Sequence, residues 1–384
     1  MISRKLLLTR IAASLTDSPI VALLGARQVG KTTLARQVVK SKSASYFDLE
    51  DSRDAARLAD PMLALEPLKG TVVIDEIQRA PKLFETLRVL ADRKPCRARF
   101  LVLGSASRDL IGQASETLAG RISYIEVPPF SLKELPPRFR SQHWARGGYP
   151  GSILATSEPI SCKWRRDYIA TFLERDIPSL GIRIPAPSML RFWTMLAGLH
   201  GQIMNYSELG RSFGLSDTNI RNYVDILTET FMVRQLQPWH ENIGKRQVRA
   251  SKIYLRDSGL LHELLALRSK AEIERSHFLG ASWEGYALEE VIRALQKRPE
   301  EVFFWRTHTG AELDLFLPFG RERTGIEFKF SSAPHLTPSM RSAKTDLKLK
   351  KLFVLYPGNK RYLLSEGIEV VGLQEFLAGK AFNS

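Results

Sequence analysis

Cysteine is nearly missing: Cys96 and Cys162 are the only two in 384 residues, and they lie in different segments. That excludes a disulfide scaffold and leaves no cysteine pair at metal-ligand spacing, so a reducing compartment, the cytoplasm, is expected. Long apolar runs are also missing. None approaches the roughly 18 residues needed to cross a bilayer, and no membrane role is expected. The apolar part of Met1 to Arg10 is too short for the core of a secretory signal. No repeat or low-complexity segment occurs. Acidic residues are in deficit, with 41 Asp and Glu against 56 Lys and Arg and a formal net charge of +15. A chain this basic attracts polyanions, nucleic acid first among them, although surface Lys and Arg also serve plain solubility. Hydrophobic residues at 44% and charged residues at 25% match a soluble globular protein. The length exceeds one ordinary core, so about two to four domains are expected.

What is present is sharpest near the start. Ile20-Val21-Ala22-Leu23-Leu24 reads as a buried parallel strand. It runs into Gly25-Ala26-Arg27-Gln28-Val29-Gly30-Lys31-Thr32, then into a helical stretch beginning at Thr33. This G-x-x-x-x-G-K-[ST] pattern is a P-loop. Its glycines let the backbone wrap phosphates, so that loop amides and a helix N-terminus face the anion. Residues Gly25 to Thr33 therefore form the expected ATP cradle. Lys31 is expected to reach the β and γ phosphates, and the Thr32 hydroxyl to ligate Mg²⁺.

A partner motif follows at Thr71-Val72-Val73-Ile74-Asp75-Glu76. Asp75 is the expected Mg²⁺ ligand and Glu76 the residue that polarises the attacking water. Phe100 to Leu103 reads as another buried strand, ending at Gly104-Ser105. Ser105 is either a sensor of the γ-phosphate or a turn serine. Arg121 is either an arginine finger for a neighbouring subunit or an internal ion-pair residue.

In order, Gly25 to Thr32, Asp75-Glu76-Ile77-Gln78, Gly104-Ser105, Leu118-Ala119-Gly120-Arg121 and Gly147-Gly148-Tyr149-Pro150 resemble a family of bacterial and archaeal AAA-type ATPases with a C-terminal domain of unknown function. Tyr168 to Ile177 is similar to another marker of that family. The resemblance spans nearly the whole chain. It implies an AAA-type α/β core that hydrolyses ATP with Mg²⁺ and works as a homo-oligomer.

Tyr206 to Leu215 reads as a short helix closed by Gly214. Ser216-Asp217 caps a second helix with apolar residues at Ile220, Tyr223, Val224, Leu227 and Phe231. Two strand-like runs, Met232 to Trp239 and Lys252 to Leu255, complete a winged helix. Thr218, Asn219, Arg221 and Asn222 at the start of the second helix, with Lys245, Arg246 and Arg249 in the wing, are the expected DNA contacts. Asp217, Asp225 and Glu229 on the same helix would repel DNA. The alternative is a module that only packs or binds protein.

Beyond it, Glu284 on a helix, Asp314 on one strand, and Glu327 with Lys329 on the next resemble a restriction-endonuclease-like core. That resemblance implies Mg²⁺ held by Asp314 and Glu327, supported by Glu284 or less favourably Glu289, with Lys329 beside the reacting phosphate. Such a core either cuts DNA or survives as a binding module. The expected domains are an ATPase core at 1–150, a helical lid or linker at 151–190, a winged helix-turn-helix at 191–258 and a nuclease-like domain at 259–384. The expected function is an ATP-hydrolysing protein that acts on DNA. The alternative is a regulatory ATPase with a protein partner and a nuclease-like core that does not cut.

Overall fold

Five short apolar runs form the first sheet: β1 (Ile20–Leu24), β2 (Ala44–Asp48), β3 (Gly70–Asp75), β4 (Ala98–Gly104) and β5 (Ile122–Glu126). They pair in parallel in the order β2-β3-β4-β1-β5. The structure, a computed structural model, describes residues 2–39, 44–104, 118–318 and 322–379. The chain divides into two compact units, Met1–Phe130 with Glu229–Phe231, and Ser131–Thr228 with Met232–Ser384.

In the first unit β1 is buried along its whole length, which is why it reads as an unbroken apolar run rather than an alternating one. The helix Leu83–Asp92 sets Leu83, Phe84, Leu87 and Leu90 into one core with Val72, Ile74, Phe100 and Val102. Truncating one of these, Leu87 for example, would cost about 2–5 kcal/mol. Because all five strands are parallel, their carboxyl ends share one edge, where the loops that carry chemistry collect. β4 lies between β1 and β3, so the strand that feeds the P-loop and the strand that ends at Asp75 are not neighbours.

The second unit is built on one nine-stranded sheet. Its strands are β6 (Gln202–Ile203), β7 (Val233–Pro238), β8 (Lys252–Leu255), β9 (Phe303–Arg306), β10 (Glu312–Leu317), β11 (Thr324–Phe328), β12 (Lys351–Tyr356), β13 (Tyr362–Ser365) and β14 (Ile368–Gly372). The order is β13-β14-β12-β11-β10-β9-β7-β8-β6. The helix Leu279–Ala294 packs Trp283, Tyr286, Leu288 and Val291 into one core with Leu315, Ile326 and Phe353. The helix Pro338–Asp346 contributes Met340 and Ala343 to another, with Leu313, Phe316 and Leu352.

Two helices, Tyr206–Phe213 and Asp217–Glu229, stand where the sequence suggested them. Asn205 caps Tyr206–Phe213 by accepting from Glu208 N at 3.2 Å, and Gly214 ends it with φ +66°. A Cβ on Gly210 would lie 2.7 Å from Leu215 O, so the turn needs that glycine. The second helix, Asp217–Glu229, buries Ile220, Val224 and Leu227. It stops before Phe231, whose φ of +64° takes it off the helical face assigned to it from spacing.

Two boundaries fall elsewhere than composition suggested. Residues 131–150 cluster with the second unit, not with the first. The strands assigned to a separate winged helix continue into the C-terminal sheet, because β7 pairs in parallel with β9 through Gln237 and Phe303, and Pro238 and Phe304. The wing loop is tied down as well, with Val248 N donating to Arg306 O at 3.0 Å and His308 N to Arg246 O at 2.9 Å. A pairing across more than sixty residues leaves no local pattern to read.

Candidate functional site

The loop after β1 is shaped by its glycines. A Cβ on Gly25 would meet Val127 O at 2.3 Å, and Gly30 has φ +95°. Gly25, Ala26 and Val29 are buried, Arg27 and Gly30 half-buried, and Gln28 exposed with φ +60°. The helix Lys31–Val39 begins at once, with Thr32 half-buried and Thr33 exposed. Lys31 is buried, and its ammonium donates to Gly25 O at 2.7 Å and Ala26 O at 2.8 Å.

Asp75 ends β3 buried and collects three donors. Thr32 Oγ1 donates to its Oδ2 at 2.8 Å, Tyr46 OH to the same oxygen at 2.6 Å, and Glu76 N to Oδ1 at 3.0 Å. Tyr46, on β2, escaped sequence reading because its spacing to the motifs is not fixed. Burial and the Asp75 carboxylate push its hydroxyl well above the ordinary range, so it stays a donor. Glu76 has φ +55°, a strained conformation for a non-glycine residue, and its carboxylate accepts from Gln78 Nε2. Thr32 and Asp75 present hard oxygens side by side next to a phosphate-shaped loop, which fits a bound Mg²⁺-nucleotide.

Arg121 is on the other edge. Its O accepts from Ile20 N at the start of β1, and its guanidinium pairs with Asp92 through Nε at 2.5 Å and Nη2 at 3.0 Å. Five residues of strand separate it from its own P-loop. A cavity of about 310 Å³ lined by Leu65, Leu90, Arg93 and Phe100 opens near the same edge, away from the nucleotide loop. Ser105 lies outside the described residues.

Thr218, Asn219, Arg221 and Asn222 are all exposed at the start of the helix Asp217–Glu229. Arg221 lies over the Tyr206 ring, 3.9 Å from its centre. In the wing, Arg246 and Arg249 are exposed, whereas Lys245 is held by both oxygens of Asp346 at 2.9 and 2.7 Å.

The C-terminal residues come together. Lys329 Nζ pairs with Glu327 Oε2 at 2.8 Å, as their shared strand face allows, and Asp314 Oδ2 accepts from Phe328 N at 2.9 Å. The ladder between β10 and β9 shifts register between Leu313 and Phe316. Such a bulge re-aims the side chains inside it, here Asp314. Glu284, across from them, accepts from Tyr254 OH at 2.6 Å.

Sequence reading missed Lys252, which sits in the middle. Its ammonium pairs with Glu312 and lies 3.4 Å from Glu284 Oε1 and 3.8 Å from Asp314 Oδ1. Alternation along β8 sets Lys252 and Tyr254 on one face, and alternation along β10 sets Glu312 beside Asp314. Both signals were available, but nothing local joins the two strands. Burial and the neighbouring Asp314 raise Glu284 to about 7, and the same two causes push Glu327 well up. Burial works to lower Lys252, but Tyr254, Glu284, Asp314 and Glu312 hold it well above its ordinary value.

Glu289, the less favoured metal candidate, belongs to a different cluster. Burial opposes its charge, yet Arg234, Arg256 and Arg293 hold it down to about 2. Among the described residues no three His, Cys, Asp or Glu side chains are arranged to hold a metal ion. In the expected set of Glu284, Asp314 and Glu327, the Lys252 ammonium stands beside the oxygens of Glu284 and Asp314.

Comparisons with known proteins agree with the first unit. Residues 17–136 match an AAA domain, 139–271 a domain of unknown function (DUF8612) and 279–376 a second domain of unknown function (DUF4143). Over 377 residues, 98% of this chain and 85% of each relative, the sequence is 48% identical to Uncharacterized protein Rv2008c of Mycobacterium tuberculosis and Uncharacterized protein Mb2031c of Mycobacterium bovis. Among solved structures, the Walker-type ATPase PABY2304 of Pyrococcus abyssi is similar at 15% identity and a TM-score of 0.48, covering 69% of this chain and 96% of that one. Parallel sheet, P-loop and AAA domain together make the core that of an AAA-type P-loop ATPase. No described helix is long and apolar enough to cross a membrane.

Proposed function

The chain belongs to the family of the mycobacterial proteins Rv2008c and Mb2031c and carries an AAA-type ATPase core, and on that premise we propose that it couples Mg²⁺-dependent ATP hydrolysis to action on DNA. Lys31 exchanges the carbonyls of Gly25 and Ala26 for the β and γ phosphates, and the amides of Gly25 to Thr33 face the same oxygens. Thr32 and Asp75 would hold Mg²⁺, which would neutralise phosphate charge there. Glu76 orients and polarises the attacking water, and Gln78 sets its carboxylate. The observation that carries this reading is the 2.8 Å contact between Thr32 Oγ1 and Asp75 Oδ2. It joins the two motifs across the sheet edge.

DNA enters through the second unit. Thr218, Asn219, Arg221 and Asn222 form an exposed row at a helix start, and Arg246 and Arg249 extend it into the wing. Together with the charge of +15, this row supports phosphate and groove contact. Arg121, paired with Asp92 away from its own P-loop, would have to exchange that partner to serve a neighbouring copy in a homo-oligomer. The cytoplasm is the compartment that the two free cysteines favour.

A second reading makes the chain a regulatory ATPase with a protein partner. It draws support from exposed Asp217 on the same helix face and from Lys245, already neutralised by Asp346. The deciding experiment is the ATP hydrolysis rate with and without single-stranded, duplex and branched DNA, with Lys31→Ala as the blank. We expect at least one DNA form to stimulate hydrolysis, and its binding to weaken steeply with added salt. A rate indifferent to every DNA form would transfer the conclusion to the protein-partnered switch.

A further inference from the structure

The carboxylate cluster of the second unit already contains its cation. Lys252 projects from β8 with 3% of its side chain exposed, and three carboxylates face its ammonium: Glu312, Glu284 and Asp314. Tyr254, two residues along the same face, holds Glu284 by a 2.6 Å hydrogen bond. The outer oxygen of Glu312 is taken by Arg306 at 3.1 Å, and Glu327 by Lys329 at 2.8 Å. Four carboxylates therefore face three basic groups, and Lys252 is the most deeply buried of those groups.

A divalent ion would need the same oxygens. Mg²⁺ demands them at about 2.0–2.1 Å in near-octahedral array, and it would then lie within one contact of a buried ammonium. The ammonium also satisfies these carboxylates in a way water cannot at this depth. We infer that Lys252 is the resident cation of the Glu284–Glu312–Asp314–Glu327 cluster and that the cluster does not take up Mg²⁺ or Mn²⁺. The consequence is specific. In this chain the nuclease-like constellation is an ionic strut that ties β8 to β10 and the helix Leu279–Ala294. Lys252 is thus a positioning residue, and any nucleic acid held by the second unit is held without metal-assisted cleavage there. The inference is independent of whether DNA is the partner.

The test is Mn²⁺ binding to the full chain, free of nucleotide and carrying Thr32→Ala to silence the first metal site, followed by electron paramagnetic resonance. In that background we expect no bound Mn²⁺ that Asp314→Asn can remove. Adding Lys252→Met is expected to create one Mn²⁺ site per chain, lost again with Asp314→Asn. Lys252→Gln, which keeps a polar donor, replaces Lys252→Met if the latter does not fold. Two results would overturn the inference: Mn²⁺ bound in the background chain and removed by Asp314→Asn, or a folded Lys252 variant that gains no site.

Discussion

Asp75 and Asp314 are both buried carboxylates, one at a strand end and one in a bulge, and they differ in what faces them. Asp75 meets neutral hydroxyls, Thr32 and Tyr46, beside a loop built for phosphate. Asp314 meets a backbone amide and an ammonium, Lys252. The first faces only neutral donors, whereas the second has a basic side chain of the same chain beside it. A motif names carboxylates, but the partner of each carboxylate decides whether a metal has a place there.

The comparison breaks most visibly at Lys252. Lys252→Met removes the buried cation that faces Glu284, Glu312 and Asp314, so at neutral pH we expect a loss of about 3–5 kcal/mol, read as a lower urea midpoint. An unchanged midpoint would mean that the cluster is solvated and the contrast with Asp75 is false. At the other site Lys31→Ala should leave folding intact and lower the ATP hydrolysis rate by about 10²–10³-fold, as losing one preorganised charge-stabilising donor does. A rate within a few-fold of wild type would displace the P-loop lysine from its proposed role.

A subtler difference is set by protons. Glu284 has a folded value of about 7 against an ordinary 4.5, so the folded chain holds the extra proton between those values. Its stabilisation is complete below pH 4.5 and is lost as pH rises through 7. Buried His200 and His262, lowered to about 3 and 4, act with opposite sign, since their contribution is lost as pH falls below 6.5. The stability difference between wild type and Glu284→Gln isolates the carboxylate. We expect the variant to gain on wild type as pH is raised from 5 to 7.5, followed by urea midpoints at each pH. Parallel curves would place Glu284 in water. The smallest effect is expected at Arg121, whose pair with Asp92 is exposed on both sides. Arg121→Ala should leave the thermal midpoint unchanged. A fall in hydrolysis that grows with protein concentration would mark it as a finger reaching a neighbouring copy.

Much of the first unit is legible because its signals are local. An apolar run, glycines at fixed offsets and a helix follow one another within twenty residues, and the backbone geometry of Gly25 and Gly30 explains why those positions are glycine. The two helices Tyr206–Phe213 and Asp217–Glu229 are legible for the same reason, through Gly214 and Ser216. The second unit is legible only in pieces. Glu284, Asp314, Glu327 and Lys329 could be picked from the order of elements, yet Lys252 stood sixty residues away from Asp314 with no pattern linking them. The clustering of residues 131–150 with the second unit and the β7–β9 pairing had no local signal either, because both are properties of the folded chain.

The sequence alone thus determined the chemistry that one contiguous segment can carry: a P-loop, its strand and helix, a carboxylate pair downstream, and two capped helices. Backbone propensity and hydrophobic period act over a few residues, and those features need nothing more. Only the tertiary structure decided which charges meet. It set Tyr46 and Thr32 on Asp75, turned Arg121 toward Asp92, and brought Lys252 among the C-terminal carboxylates. Charge pairing depends on distance in space and on burial, and strand order fixes both.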